Sequence, residues 1–184
     1  RTQTCECRYI SQYVNREAIK TRCCAIKSWM GSGKTTLMLQ FFKESASWTR
    51  ILYVVSSIAL AESAARKMRS EGMKGVRNYL WFPRGATSED RGRVRVYVTT
   101  MQSLHKLPSD VSYDYVVFDE LVLIVNDCFA TTNKRIIENL VLLQTFLDKA
   151  NQVIACDALM TRRELDFLEI FFKREDISLI HNVW

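Results

Sequence analysis

Cys23-Cys24-Ala25-Ile26-Lys27-Ser28-Trp29-Met30-Gly31-Ser32-Gly33-Lys34-Thr35-Thr36-Leu37 is an apolar run feeding a glycine turn that ends in Gly-Lys-Thr. Read as strand, loop and helix, it turns successive backbone N–H groups and the positive end of a helix toward one anionic point. That is the arrangement of a phosphate-binding P-loop. In this reading Gly31, Ser32, Gly33, Lys34, Thr35 and Thr36 cradle the phosphates of ATP, Lys34 reaches the β and γ phosphates, and Thr35 holds Mg²⁺. The pattern G-x-x-x-x-G-K-[ST] asks for glycine where this chain has Ser28, so the loop needs a partner elsewhere in the sequence.

Tyr115-Val116-Val117-Phe118-Asp119-Glu120 offers one: a short apolar strand capped by two adjacent carboxylates, which is the form of a Walker B element. The chemistry needs one carboxylate at the strand's C-terminal end to hold the water shell of Mg²⁺, the role of Asp119. It needs a second to orient the attacking water, the role of Glu120. Alone, Asp-Glu after a strand is as well explained by a turn. Downstream of a P-loop, in the right chain order and again at a strand end, the catalytic reading is the better one.

Short apolar runs alternate with amphipathic, helix-length stretches along most of the chain, the signature of a parallel sheet covered by helices on both faces. The runs predict strands at 23–28, 51–55, 77–82, 94–99, 115–118 and 152–156, with 177–182 as a candidate seventh. Apolar residues recurring at three and four predict helices at 34–45, 58–70, 133–150 and 161–172. Residues 83–92, rich in Gly, Ser and charge, are expected to form a mobile loop. The fold class expected is α/β, a P-loop NTPase with a mostly parallel sheet of six or seven strands.

With 184 residues, 48% hydrophobic and 25% charged, the chain can build one packed core. A net charge of +6 favours a polyanionic partner, although the 20 acidic residues are interspersed with the 26 basic ones. No apolar run is long enough to span a bilayer, and 1–16 is too polar for a secretory signal, so an intracellular chain with no membrane partner is expected. The six cysteines lie mostly in apolar stretches, the reduced pattern. A zinc site from Cys5, Cys7, Cys23 and Cys24 is disfavoured because Cys23-Cys24 belongs to the P-loop strand. Arg at position 1 and an apolar ending at Trp184 read as a domain from a longer polypeptide, divided into an N-terminal extension at 1–19 and an ATP-binding domain at 20–184.

Polar residues gather at other strand ends, where open α/β sheets bind ligands and a nucleic-acid backbone could be gripped. Ser57, Thr100 and Thr161 each precede an amphipathic stretch, so helix capping explains them equally well. His105 and His181 have no nucleophile or metal constellation around them, and Trp29 is expected to pack against the sheet.

These residues carry a family likeness. The chain resembles, over about 20–184, the N-terminal helicase domain of the herpesvirus origin-binding proteins and their relatives in other large eukaryotic DNA viruses, within helicase superfamily 2. The segments that carry it are Trp29 to Thr36 (motif I), Tyr53-Val54-Val55-Ser56-Ser57 (Ia), Gln102-Ser103-Leu104-His105-Lys106 (Ib), Tyr113 to Val122 (II), and Ala155-Cys156-Asp157-Ala158 with Leu165-Asp166-Phe167-Leu168 (III). Leu121-Val122 after Asp119-Glu120 departs from the DEAD and DEAH patterns, and Gln12 is the only nearby candidate for an adenine-reading glutamine before the P-loop.

The resemblance implies a RecA-like first helicase domain that hydrolyses ATP to translocate on single-stranded DNA and serves viral DNA replication. It implies Lys34 and Glu120 as catalytic residues and Ser57, Thr100 and Ser103 as DNA contacts. Asp157 and Ala158 would couple nucleotide state to the DNA side. Other replication proteins and a second RecA-like domain of the parent chain are the implied partners, and the host nucleus or a cytoplasmic viral replication site the implied location. Two other readings share the same residues: a DNA-packaging or other P-loop motor, and a nucleotide-regulated interaction module of a replication complex.

Overall fold

The apolar runs assemble into one eight-stranded sheet in the computed structural model, which describes residues 2–14, 19, 21–81, 94–130 and 135–184. Its strands are β1 (Thr2–Cys5), β2 (Cys23–Lys27), β3 (Ile51–Val55), β4 (Val76–Asn78), β5 (Val96–Thr100), β6 (Tyr115–Asp119), β7 (Gln152–Asp157) and β8 (Ile177–Asn182). They lie in the order β1-β8-β2-β7-β6-β3-β5-β4, and each neighbouring pair is parallel. Parallel neighbours require crossovers. The described helices α1 (Lys34–Glu44), α2 (Ile58–Ser70), α3 (Leu121–Phe129), α4 (Ile136–Lys149) and α5 (Arg162–Glu169) supply most of them.

Successive side chains of a strand point to opposite faces, and the sheet uses both. Cys23 and Ala25 of β2 join a cluster with Leu121, Ile124, Phe146 and Leu168 under α3, α4 and α5. Cys24 and Ile26 join Leu37, Phe41, Ala61 and Met68 under α1 and α2. The central strands are therefore apolar on consecutive residues. The described cysteines are unpaired, and Cys23, Cys24 and Cys156 pack as small hydrophobes; burial pushes the Cys24 thiol up to about 11.

The structure departs from the sequence expectation at definite places. The predicted strand at 77–82 is a three-residue β4 followed by a 3-10 turn at Tyr79–Trp81; the Asn78 side chain accepts the Leu80 N–H at 3.0 Å, an Asx turn that ends the strand. Helix α3, which no expectation covered, starts directly after Glu120 and buries Leu121, Ile124, Val125 and Cys128, the three-and-four spacing of one helical face. Within the stretch expected to be an N-terminal extension, Thr2–Cys5 form β1, which pairs with β8 along its whole length. The expected mobile loop at 83–92 lies outside the described residues, as does the predicted start of the fourth helix at 133–134.

Phe146, fully buried on α4, meets the ring of Tyr113 edge-on at 5.3 Å between centroids. Phe146→Ala should destabilise the fold by about 3–5 kcal/mol, read as a lower urea midpoint at unchanged m-value.

Candidate nucleotide-binding site

At the end of β2 the chain turns over the C-terminal edge of the sheet and enters α1 at Lys34. Gly31 (φ 77°) and Gly33 (φ 81°) hold left-handed backbone that a side chain would strain, so the turn needs both glycines. Gly33 is the N-cap of α1, and no side chain caps the helix. The first-turn N–H groups have no intrahelical acceptor and are presented to the loop. The Lys34 ammonium arches back over this loop and donates to the carbonyls of Ser28 at 2.6 Å and Trp29 at 2.9 Å. Thr35 is half-buried beside it, and Thr36 is exposed.

Strand register brings the acidic residues to the same edge. Lys27 of β2 pairs with Asp157 of β7, and Cys156 of β7 pairs with Asp119 of β6, so the ends of three adjacent strands converge. Asp119 is held by Tyr53, a fully buried residue of β3 whose hydroxyl donates to Asp119 Oδ2 at 2.5 Å. Glu120 has φ 65°, the one positive φ outside glycine among the described residues, and it is the N-cap of α3. Such backbone is costly for a residue with a side chain and is concentrated at functional sites. Asp157 bridges two elements: its Oδ2 accepts the Val122 N–H in the first turn of α3 at 2.8 Å, and its Oδ1 accepts the Leu159 N–H at 2.7 Å. A carboxylate there also complements the positive end of α3.

The electrostatics show a crowded, poorly solvated site. Burial lowers the Lys34 ammonium from its ordinary value, opposed by the negative groups around it, Asp119, Asp157 and Glu120 among them. Burial raises the carboxyl of Asp119, with Asp157 adding to the rise and the Tyr53 and Lys34 contacts opposing it. Glu120 is raised by burial first and then by Asp119 and Asp157, against a long contact from Ser56 Oγ at 3.5 Å. A cation would relieve this repulsion. The donors suit ATP·Mg²⁺: loop amides and an ammonium for phosphate, and a hydroxyl and a carboxylate, hard oxygens, for a metal that keeps several waters. Among the described residues no three His, Cys, Asp or Glu gather to hold a metal unaided.

The other candidates are dispersed. Ser57 caps α2, its hydroxyl accepting the Leu60 N–H at 3.2 Å. Thr100, the N-cap of the 3-10 turn at Met101–Lys106, and Ser103 within it are largely buried residues; Gln102 and Lys106 of that turn are exposed. Trp29 does not pack against the sheet: it is 60% exposed because the turn carries it beyond the end of β2. Its indole, with Ala158, Leu159 and the half-buried His181, lines a cavity of about 220 Å³. His105 is half-buried and donates its backbone N–H to Asn139. Two residues near the loop escaped sequence reasoning. Tyr9 lies against Gly33 with the Arg8 guanidinium 5.4 Å from its ring, and the Ile10 N–H binds the Ser32 carbonyl at 2.9 Å. The aromatic-basic pair upstream of the loop was the available signal; Gln12 is exposed on the same turn.

Sheet, loop and carboxylates together define a RecA-like P-loop domain, and solved structures share the fold. A hypothetical ATP-dependent RNA helicase from Sulfolobus tokodaii superposes with a TM-score of 0.67 at 14% identity, over 92% of this chain and 51% of that one. The UvsW helicase from bacteriophage T4 gives 0.57 at 13% identity, over 88% and 54%. The model of the origin of replication binding protein family matches residues 10–184, and the chain belongs to that family. Among curated relatives, the replication origin-binding protein of human herpesvirus 6A (strain Uganda-1102) is 25% identical over 86% of this chain, and that of varicella-zoster virus (strain Dumas) 28% over 84%. The chain spans only 20% and 18% of their lengths.

Asp119→Asn keeps an acceptor for Tyr53 while removing a buried charge, so it should raise the melting temperature of the nucleotide-free chain. The folded-state pKa of Asp119 lies above its unfolded value of about 3.9. Its favourable contribution is therefore present below that value and lost as pH rises through the folded pKa. The gain from Asn should be larger at about pH 7.5 than at about pH 4, as thermal melts at the two pH values would show.

Proposed function

We propose that this chain is the ATP-binding domain of a viral replicative DNA helicase of the origin-binding family, hydrolysing ATP to drive translocation on single-stranded DNA. The observation that carries the reading is the meeting of the Gly31–Thr36 loop, Asp119-Glu120 and Asp157 at the C-terminal ends of three adjacent parallel strands. Ligands bind open α/β sheets at that edge.

In the proposed mechanism Gly31, Ser32, Gly33, Lys34, Thr35 and Thr36 hold the triphosphate. Lys34 exchanges the carbonyls of Ser28 and Trp29 for phosphate oxygens. Thr35 and Asp119 hold Mg²⁺, which when bound neutralises phosphate charge. Tyr53 keeps the Asp119 carboxylate oriented. Glu120, aimed by its left-handed backbone, orients water and accepts its proton; its raised pKa makes it a better base than a solvated carboxylate. The Tyr9 ring beside Gly33 offers the base a stacking face. Asp157 joins the loop strand to the first turn of α3, its carbonyl accepting the Ser28 N–H and its carboxylate the Val122 N–H, and with Ala158 it would relay nucleotide state. Ser57, Thr100 and Ser103, at or beyond the ends of β3 and β5, would contact the DNA backbone.

The parent polypeptide would contribute a second RecA-like domain and contacts with other replication proteins, at the intracellular site of viral genome replication. An arginine finger is worth about 10³–10⁵ in rate in comparable NTPases, and the proposal places that group on the second domain. The 184-residue chain should therefore bind ATP, hydrolyse it feebly and fail to unwind duplex DNA; robust unwinding by the chain alone would contradict the proposal.

In the full-length polypeptide, Lys34→Ala should lower DNA-stimulated turnover by a factor on the order of 10² or more. Glu120→Gln should retain ATP binding and block turnover. Normal hydrolysis by Glu120→Gln would remove the assignment of the base, and turnover indifferent to DNA would favour a nucleotide switch over a motor.

A further inference from the structure

Ser28, the residue that breaks the glycine pattern of the loop, is 1% exposed at the end of β2 and fully engaged. Its hydroxyl donates to Ser32 Oγ at 2.7 Å and accepts from Asn182 Nδ2 at 3.1 Å. Asn182, the last residue of β8 and 2% exposed, also donates through Nδ2 to the Cys7 carbonyl at 2.8 Å, while its Oδ1 accepts the Cys7 N–H at 3.0 Å. Both amide protons and the amide oxygen are thus satisfied. Ser32 is itself buried, and its carbonyl accepts the Ile10 N–H. A continuous hydrogen-bonded chain, half-buried at Cys7 and buried from Asn182 onward, runs from the segment after β1, through the end of β8, into the first and fifth residues of the loop.

A buried hydrogen-bonded network favours one geometry, because a member that loses its partner becomes an unpaired polar group away from water. Here it closes the span from Ser28 to Ser32, the half of the loop that precedes Gly33 and the first-turn amides of α1. A glycine at 28 would relax the backbone but supply no hydroxyl. It would leave Ser32 Oγ and one Asn182 N–H without this partner, and it would free the loop to rearrange.

We propose that Ser28 and Asn182 are positioning residues of the nucleotide loop, the chain Asn182–Ser28–Ser32 holding it in its anion-binding shape and anchoring it to the N-terminal segment at Cys7. The proposal rests on the nucleotide-binding reading of the site. It makes the N-terminal strand and the end of β8 part of the binding machinery, although neither touches the phosphates. It also predicts that restoring the glycine of the motif harms binding.

The test is isothermal titration of ADP·Mg²⁺ into the unsubstituted chain, Ser28→Gly, Ser28→Ala, Asn182→Ala, and the Ser28→Ala/Asn182→Ala pair, with a melting temperature for each in the absence of nucleotide. Ser28→Gly and Ser28→Ala should each weaken ADP binding by about tenfold, the scale of one lost buried hydrogen bond. The paired variant should lose less than the product of its single losses, because both act through one chain. Should Asn182→Ala fail to fold, the Ser28 variants, which alter only the hydroxyl or its carbon, still decide the matter. Ser28→Gly binding ADP as tightly as the unsubstituted chain, whatever its melting temperature, would overturn the proposal and leave Ser28 a packing residue. Failure of the unsubstituted chain to bind ADP, or binding that Lys34→Ala leaves intact, would instead overturn the reading of the site beneath it.

Discussion

The hydrogen-bonded register of β2, β7 and β6 is the constraint from which the site follows. Lys27 opposite Asp157 and Cys156 opposite Asp119 set three strand ends level, so that a loop from the first, a cap from the second and a carboxylate pair from the third meet. The register is enforced by burial on both faces: Cys24, Ile26, Val117 and Ile154 face α1 and α2, while Ala25, Val116, Phe118, Val153 and Ala155 face the other helices. A slip of one residue would send each of these side chains to the opposite face and carry Asp119 away from the loop. Core packing and site assembly are therefore the same problem, solved by the same residues.

What assembles there is costly to the fold. Three carboxylates and one ammonium share a partly desolvated edge, and burial disfavours the charged form of Lys34, Asp119 and Glu120 alike. Glu120 adds left-handed backbone. The surrounding structure offsets this with fixed partners: the buried phenol of Tyr53 on Asp119, and two backbone N–H groups on Asp157. Local sacrifice of stability, held in place by a rigid frame, is the usual condition of a site built to receive charge. A bound metal and phosphates would supply the missing counter-charges on both sides.

The parts of the site legible in the sequence are those whose signal is local. A glycine turn between an apolar run and an amphipathic stretch identifies the loop, and an apolar strand ending in Asp-Glu identifies its partner, because each is a short segment with its own geometry. The α/β class is equally legible from the alternation of runs. Helix α3 was hidden because Leu121 to Val125 is continuously apolar, which masks helical spacing beside a strand of similar composition. Tyr53 and Asn182 were hidden for a different reason: their partners lie 66 and 154 residues away, and nothing near either residue announces the contact. Ser28 departs from the motif in the sequence, and only the fold supplies the partners of its hydroxyl.

The central claim is that one nucleotide and one divalent ion occupy the space between the Gly31–Thr36 loop and the Asp119 carboxylate. It is tested most directly by a crystal of the chain grown with a non-hydrolysable ATP analogue and Mn²⁺, the ion located by its anomalous scattering. The account predicts a single strong peak between Thr35 Oγ1 and Asp119, with the phosphates against the first-turn amides of α1. Phosphate or metal density elsewhere, such as in the cavity beside Trp29 and His181, with the loop left bare, would contradict it.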